Sequence, residues 1–155
     1  MDYKSGTIDL HIHSTASDGS LSPEQILLKA RSSGLNAISI TDHDTLAGTA
    51  AALRNNIPEG LLFITGVEIS AAYPPLFQIP GSMHILGYGI DTDHPDLNRM
   101  LDKQQRARFE RNPRIVEKLN RLGISVTLEQ IRDATGKDEI ARPHIADYLV
   151  LTGHA

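Results

Sequence analysis

Between Thr7 and His13 the chain reads Thr-Ile-Asp-Leu-His-Ile-His, and the alternation of Ile8, Leu10 and Ile12 with Asp9, His11 and His13 is the period-two pattern of a strand with one apolar face. A strand of this kind must bury its oily face against other elements, and the residues that follow supply them. Ser22-Pro23-Glu24-Gln25 combines an N-cap serine, a proline at the first helical position and a capping-box glutamine, which predicts a helix running to Gly34. Ala37–Ile40 predicts a second short strand, and Leu46 to Arg54 a second helix. This β-α-β-α rhythm predicts parallel strands. Leu62–Thr65 and Val67–Ser70 are further strand material carrying Glu68, and His84–Tyr88 is another strand, separated from them by the proline-rich loop Tyr73–Ser82.

From Asp96 the chain becomes charged and helix-favouring. A helix is predicted over Leu97–Leu122, kinked or split at Pro113 and closed by Gly123. Thr127-Leu128-Glu129-Gln130 is a second capping box, and Arg142-Pro143-His144-Ile145 opens a last helix through Leu151. The expected organisation is a β/α portion over residues 1–96 and a mostly helical subdomain over 97–155. A length of 155 residues suffices for one domain but is short for a closed β/α barrel.

Composition excludes several classes of function. Cysteine is absent, which removes disulfides, thiolate metal sites and cysteine nucleophiles and leaves nitrogen and oxygen as the only strong metal ligands. No apolar run is long enough to span a bilayer, and the first residues lack a secretion-signal pattern, so a cytoplasmic protein without membrane contact is expected. A net charge of −4 gives no general attraction to a nucleic-acid backbone but leaves small anionic substrates open. No stable protein partner is evident.

Chemistry-bearing residues recur where strands meet loops. His11 and His13, two apart on a strand, project from one face and can converge on one ion. Asp18 lies in the small polar loop after them, and His43 sits at the end of the second strand. Asp42 and Asp44 beside it read as caps of the next helix. Glu68 interrupts an apolar run where a lone carboxylate is costly to bury without a cation, and His84 begins an apolar strand. Together these residues offer four imidazoles and two carboxylates, too many for one four-coordinate ion and suited to two or three divalent ions, Mn²⁺, Zn²⁺ or Fe²⁺, with Glu68 as a bridge. Such a cluster can supply a metal-bound hydroxide as nucleophile and neutralise a phosphoryl oxygen, the requirements of phosphate-ester hydrolysis.

Asp9-Leu-His-Ile-His-Ser-Thr-Ala-Ser-Asp18-Gly and Ile40-Thr-Asp-His43-Asp-Thr resemble the first two motifs of the polymerase and histidinol phosphatase (PHP) superfamily. Gly66-Val-Glu68-Ile-Ser resembles its third motif, His84-Ile-Leu-Gly-Tyr the segment after it, and Arg142-Pro-His144-Ile its recurrent Arg-Pro-His motif. The resemblance implies a distorted seven-stranded β/α (TIM-like) barrel with a helical insertion subdomain. It places His11, His13 and Glu68 on one ion, Glu68 and His84 on a second, Asp18 and His43 on a third, and Arg142 and His144 at the substrate. It also implies a stand-alone metal-dependent phosphoesterase acting on a nucleotide, a nucleoside bisphosphate or short RNA. The family pattern continues with another histidine and a closing Asp-x-His pair absent from these residues, so the chain is expected to be the N-terminal portion of a truncated barrel. A catalytically weak metal-binding structural or regulatory module is the alternative, and the amidohydrolase kind of C–N hydrolysis a third reading.

Overall fold

The structure, a computed structural model, describes residues 6–73, 82–136 and 140–154. The chain divides into two compact units, Met1–Asp102 and Lys103–Ala155.

The first unit is a mixed α/β layer. Its elements in chain order are β1 (Thr7–Ile12), α1 (Pro23–Ser32), β2 (Leu35–Ile40), α2 (Ala47–Arg54), β3 (Leu62–Ala72) and β4 (Ser82–Tyr88). The capping box at the start of α1 forms as predicted: Ser22 Oγ accepts the Gln25 N–H at 3.2 Å, and Gln25 Oε1 accepts the Ser22 N–H at 2.9 Å. Gly34, just past the helix, has φ 76°, a left-handed turn open to glycine and strained for other residues. Helix α1 buries Ile26, Leu27 and Ala30, which pack with Ile38 and Ile40 of β2, Ala52 of α2 and Leu61 to make the main core.

The sheet order is β1-β2-β3-β4. Strands β1, β2 and β3 are mutually parallel, as the alternation of strands and helices predicts. Strand β4 departs from that prediction and pairs antiparallel with β3. The reason is the length of the connection: a parallel return needs about a dozen residues or more, usually a helix, and the segment between Ala72 and Ser82 is shorter than that. The expected loop Tyr73–Ser82 lies largely outside the described residues.

Two expected strand segments around Glu68 are one strand, β3, which changes partner midway. Leu62–Thr65 pair with β2, and from Gly66 onward the strand pairs with β4. Gly66 sits where Ser39 and Thr41 of the neighbouring segment press closest, and a Cβ there would collide with the Ser39 hydroxyl. The Thr49 hydroxyl, buried on α2, lies 2.8 Å from the Ile40 carbonyl and 2.9 Å from that of Gly66, tying the ends of the β2 and β3 pairing to the helix.

Strand β1 is less regular than its alternating sequence predicts. Breaks in register lie between Thr7 and Ile8 and between Asp9 and Ile12, and Ile8 is 57% exposed, whereas Ile12 is partly buried against the main core. The two outer strands of the sheet order nevertheless meet, because the Tyr88 hydroxyl of β4 donates to the Leu10 carbonyl of β1 at 3.0 Å. The sheet is therefore strongly curled.

The 27-residue helix α3 (Pro95–Arg121) carries Pro113 in its interior and runs on past it, so of the expected kink or split the split does not occur. An interior proline removes one N–H from the helical ladder and crowds the carbonyl four residues earlier, a local cost that packing on either side can offset. The helix is also anchored by side chains well away from the proline. Leu97 and Leu101 pack with Leu46 and Val67 in the first unit. Val116 packs with Val126, Ile131, Ile140 and Ile145 in the second. The second unit is completed by α4 (Leu128–Thr135), opened by the predicted Thr127–Gln130 capping box, and α5 (Arg142–Leu151). No helix among the described residues is long and apolar enough to cross a membrane.

Ile38 is fully buried in the main core. Ile38→Ala is expected to lower unfolding free energy by about 2–5 kcal/mol, measured by urea denaturation. Leu28→Ala on the exposed side of α1, where Leu28 is 60% exposed, should change it by less than about 0.5 kcal/mol.

Candidate metal centre

Glu68 lies in the partner-switching half of β3 and is 4% exposed. Its backbone is held on the side away from β4, where its N–H donates to the Asp42 carbonyl at 3.2 Å and its carbonyl accepts the Asp44 N–H at 2.8 Å. This brings His43 into a parallel bridge with Glu68 and fixes where both side chains emerge. Asp44 adopts φ 53°, and its Oδ1 accepts the Ser70 N–H at 2.7 Å, pinning the turn to β3.

The imidazoles converge on this carboxylate. Glu68 Oε2 lies 3.0 Å from His11 Nε2, 2.9 Å from His13 Nε2 and 3.3 Å from His43 Nδ1. Glu68 Oε1 lies 2.6 Å from His84 Nδ1. His84 reaches it from the antiparallel strand because it stands opposite Ser70, two residues along from Glu68 on the same face. Asp18 forms a second anionic centre, with Oδ1 2.9 Å from His13 Nδ1 and Oδ2 3.6 Å from His43 Nε2. The rings of His13 and His43 stand edge to face, centroids 4.6 Å apart, as do those of His43 and His84 at 4.8 Å.

The six residues singled out by sequence are thus brought together as three overlapping groups, His11–His13–Glu68, His13–Asp18–His43 and His43–Glu68–His84, each with donor atoms within 4.8 Å of one another. The donor set fits divalent ions. Nitrogen–oxygen separations of 2.6 to 3.6 Å bracket the edge of about 3.3 Å that follows from ligands ~2.0–2.1 Å from a tetrahedral ion. Two carboxylates set among four imidazoles provide the negative charge a cation needs and the borderline nitrogen ligands that transition metals favour.

The electrostatics follow from the geometry. The hydrogen bond with His13 holds the Asp18 carboxyl well below the ordinary range, at about 2, against burial, which acts the other way. The same bond raises the His13 pKa, consistent with a ring whose two nitrogens both face carboxylate oxygens and can both donate only as imidazolium. Burial pushes Glu68 upward, but hydrogen bonds from His11 and His84 and the fields of His43 and His13 outweigh it and leave the carboxyl lowered. Both carboxylates are thereby kept ionised, the state in which a carboxylate can bind a metal ion.

Arg142 and His144 belong to the second unit, at the start of α5. Arg142 is exposed. His144 is buried, and its Nδ1 accepts the Ala141 N–H at 3.0 Å, so one ring nitrogen already serves the first turn of its own helix.

The hydrogen-bonded group of Asp42, Ser14 and Ser17 beside this cluster was not singled out from the sequence. Neither aspartate beside His43 caps α2, whose N-cap position is Leu46 with no side-chain hydrogen bond. Asp42 instead accepts the Ser14 N–H and the Ser14 and Ser17 hydroxyls at 2.6 to 2.7 Å. A run of small hydroxyl residues beside a fully buried aspartate is the signal, but Ser and Asp near a helix start look alike whether they cap it or reach across the fold.

The PHP domain family model matches residues 9–148. Among curated relatives, the chain is 38% identical over 145 residues to a 5'-3' exoribonuclease of Haemophilus influenzae, covering 94% of this chain and 51% of that protein. It is 33% identical over 147 residues to a 3',5'-nucleoside bisphosphate phosphatase of Chromobacterium violaceum, covering 94% and 50%. The chain therefore spans about half the length of these relatives. Two solved structures share the fold: a Chromobacterium violaceum protein described as an amidohydrolase with bound sulfate and no metal, and a candidate metal-dependent phosphoesterase of Bifidobacterium adolescentis. The first gives a TM-score of 0.83 at 32% identity over 96% of this chain and 51% of that one. The second gives 0.82 at 32% identity over 98% and 52%.

Gly48 on α2 packs so closely that a Cβ would collide with the Asp42 carboxylate and crowd the Ser14 hydroxyl. Gly→Ala in a helix interior ordinarily stabilises by roughly 0.5–1 kcal/mol. Gly48→Ala is instead expected to destabilise by about 1–3 kcal/mol, read from urea midpoints at constant slope.

Proposed function

The chain belongs to the PHP domain family, and from that we propose that it carries a centre of two or three divalent ions and serves the hydrolysis of phosphate esters in nucleotides, nucleoside bisphosphates or short RNA. The observation that carries this reading is the buried Glu68 carboxylate with four imidazoles at 2.6 to 3.3 Å. The named activities of the exoribonuclease and bisphosphate phosphatase relatives give the substrate class.

In this proposal His11, His13 and Glu68 hold one ion, Glu68 and His84 a second, and Asp18 and His43 a third. Mn²⁺ is the foremost occupant, with Zn²⁺ or Fe²⁺ as substitutes, because nitrogen and carboxylate ligands without thiolate suit all three. When bound, the ions supply Lewis acidity toward the phosphoryl oxygens and activate a water for attack. Glu68 would be the shared ligand, since its two oxygens face different imidazoles, Oε1 toward His84 and Oε2 toward the other three. Asp18 hydrogen-bonds His13 Nδ1 at 2.9 Å and faces His43 Nε2 at 3.6 Å, the nitrogens of those rings that do not face Glu68. The exposed Arg142 offers a fork of donors matched to phosphate, and His144 orders the helical turn that presents it. Residues 1–96 form the barrel portion with the metal ligands and 97–155 a helical insertion.

The test uses Mn²⁺-loaded protein with 3',5'-bisphosphorylated nucleosides and short 5'-phosphorylated RNA, following release of phosphate or mononucleotide. Metal-dependent turnover is expected, with His43→Ala lowering it by at least about a hundredfold, the upper end for loss of a residue that merely supports a ligand. Stoichiometric metal binding without turnover would sink the hydrolase reading in favour of a metal-binding module. Turnover of cyclic amides alone would favour C–N hydrolysis.

A further inference from the structure

Asp42 is a buried charge that the proposed function leaves without a role. It is 1% exposed. Its Oδ1 accepts the Ser14 backbone N–H at 2.7 Å and the Ser17 hydroxyl at 2.6 Å, and its Oδ2 accepts the Ser14 hydroxyl at 2.7 Å. Each of these partners adjoins a proposed metal ligand. Ser14 follows His13, Ser17 precedes Asp18, and Asp42 itself precedes His43.

The connections continue through the backbone. The Asp42 carbonyl accepts the Glu68 N–H at 3.2 Å. The Ser14 carbonyl accepts the N–H groups of Ser17 at 3.1 Å and Gly19 at 2.9 Å, and the Ser14 hydroxyl accepts the Ala16 N–H at 3.1 Å. One carboxylate therefore organises the turn that carries Asp18 and joins it to the segment carrying His43. Gly48 closes the arrangement from α2, with no space for a side chain against the Asp42 carboxylate.

Taking a carboxylate out of water costs several kcal/mol after relaxation. Three short hydrogen bonds offset part of this. An asparagine would fill the same volume and accept the same backbone N–H without the charge. The carboxylate stands one residue from His43 and accepts hydrogen bonds from the residues adjoining His13 and Asp18, so its field also reaches the imidazole–carboxylate cluster.

We propose that Asp42 is the positioning residue of the metal centre, fixing His13 and Asp18 against His43 and Glu68 through Ser14 and Ser17, and strengthening cation binding by its buried negative charge without contacting an ion. The inference rests on the reading of the cluster as a metal site. Asp42→Asn keeps the shape, removes the charge and forces the Ser14 hydroxyl bond to reverse. Ser17→Ala removes the 2.6 Å hydrogen bond to Asp42 together with the longer contacts of the same hydroxyl to Asp18 at 3.4 Å and His13 at 3.5 Å.

The measurement is Mn²⁺ titration of the chain, with free ion followed by electron paramagnetic resonance and folding followed by circular dichroism and urea. Asp42→Asn is expected to fold and to bind Mn²⁺ about 10–100-fold more weakly, with Ser17→Ala intermediate. Imidazole ¹⁵N spectra of the metal-free proteins should show altered signals for His13 and His43, a change that loss of global stability alone does not produce. Wild-type Mn²⁺ affinity in a folded Asp42→Asn protein overturns the inference and leaves the metal centre standing. If Asp42→Asn does not fold, Ser14→Ala and Ser17→Ala carry the same test, and wild-type affinity in both overturns it. Absence of Mn²⁺ binding by the wild type overturns the metal reading and this inference with it.

Discussion

Placing a carboxylate inside a sheet is unfavourable unless its charge is answered on the spot, and the first unit is organised around answering the charge of Glu68. The four imidazoles that do so come from β1 and the residue after it, the turn after β2, and β4. Every strand of the sheet therefore contributes, directly or through the turn that follows it. The parallel register of β1, β2 and β3 sets successive strand ends at one level. The change of partner at Gly66 exposes the next stretch of β3 to the turn on one side and to β4 on the other. The same parallel register that pairs Ile40 with Thr65 is resumed at the bridge of His43 with Glu68, so the turn bearing His43 is seated against β3 by the backbone groups of Glu68.

The legible parts of this arrangement were those governed by local rules. The capping boxes at Ser22 and Thr127 form with the partners their spacing indicates, because the interaction closes within three residues. Glu68 stood out because a single carboxylate in an apolar run has few physical justifications. The six residues stood out from strand ends and from the family resemblance, and their side chains lie together in three overlapping groups.

What escaped depended on geometry that sequence spacing does not encode. The antiparallel direction of β4 turns on the length of a connection rather than on any pattern within the strand. The alternation along β1 is real in sequence, yet the irregular register between Asp9 and Ile12 leaves Ile8 mostly in solvent. Pro113 was read by its usual effect on an isolated helix, whereas packing at Leu101 and at Val116, on either side of it, favours continuity. Asp42 is the most instructive case. Its hydrogen bonds reach 25 to 28 residues back along the chain, and nothing in the local sequence distinguishes that reach from ordinary helix capping.

The hairpin of β3 and β4 has an evolutionary corollary. His84 meets Glu68 only because it stands opposite Ser70, and side chains on a strand change face at every residue. Adding or removing one residue between Glu68 and Ala72, or between Ser82 and His84, would turn His84 away from the cluster, whereas the connecting segment carries no such constraint. Homologous sequences should accordingly vary freely in length between Tyr73 and Ser82 while the spacing from Glu68 to Ala72, and from Ser82 to His84, stays constant. A gap falling inside either interval would mark a lineage in which this imidazole has left the site.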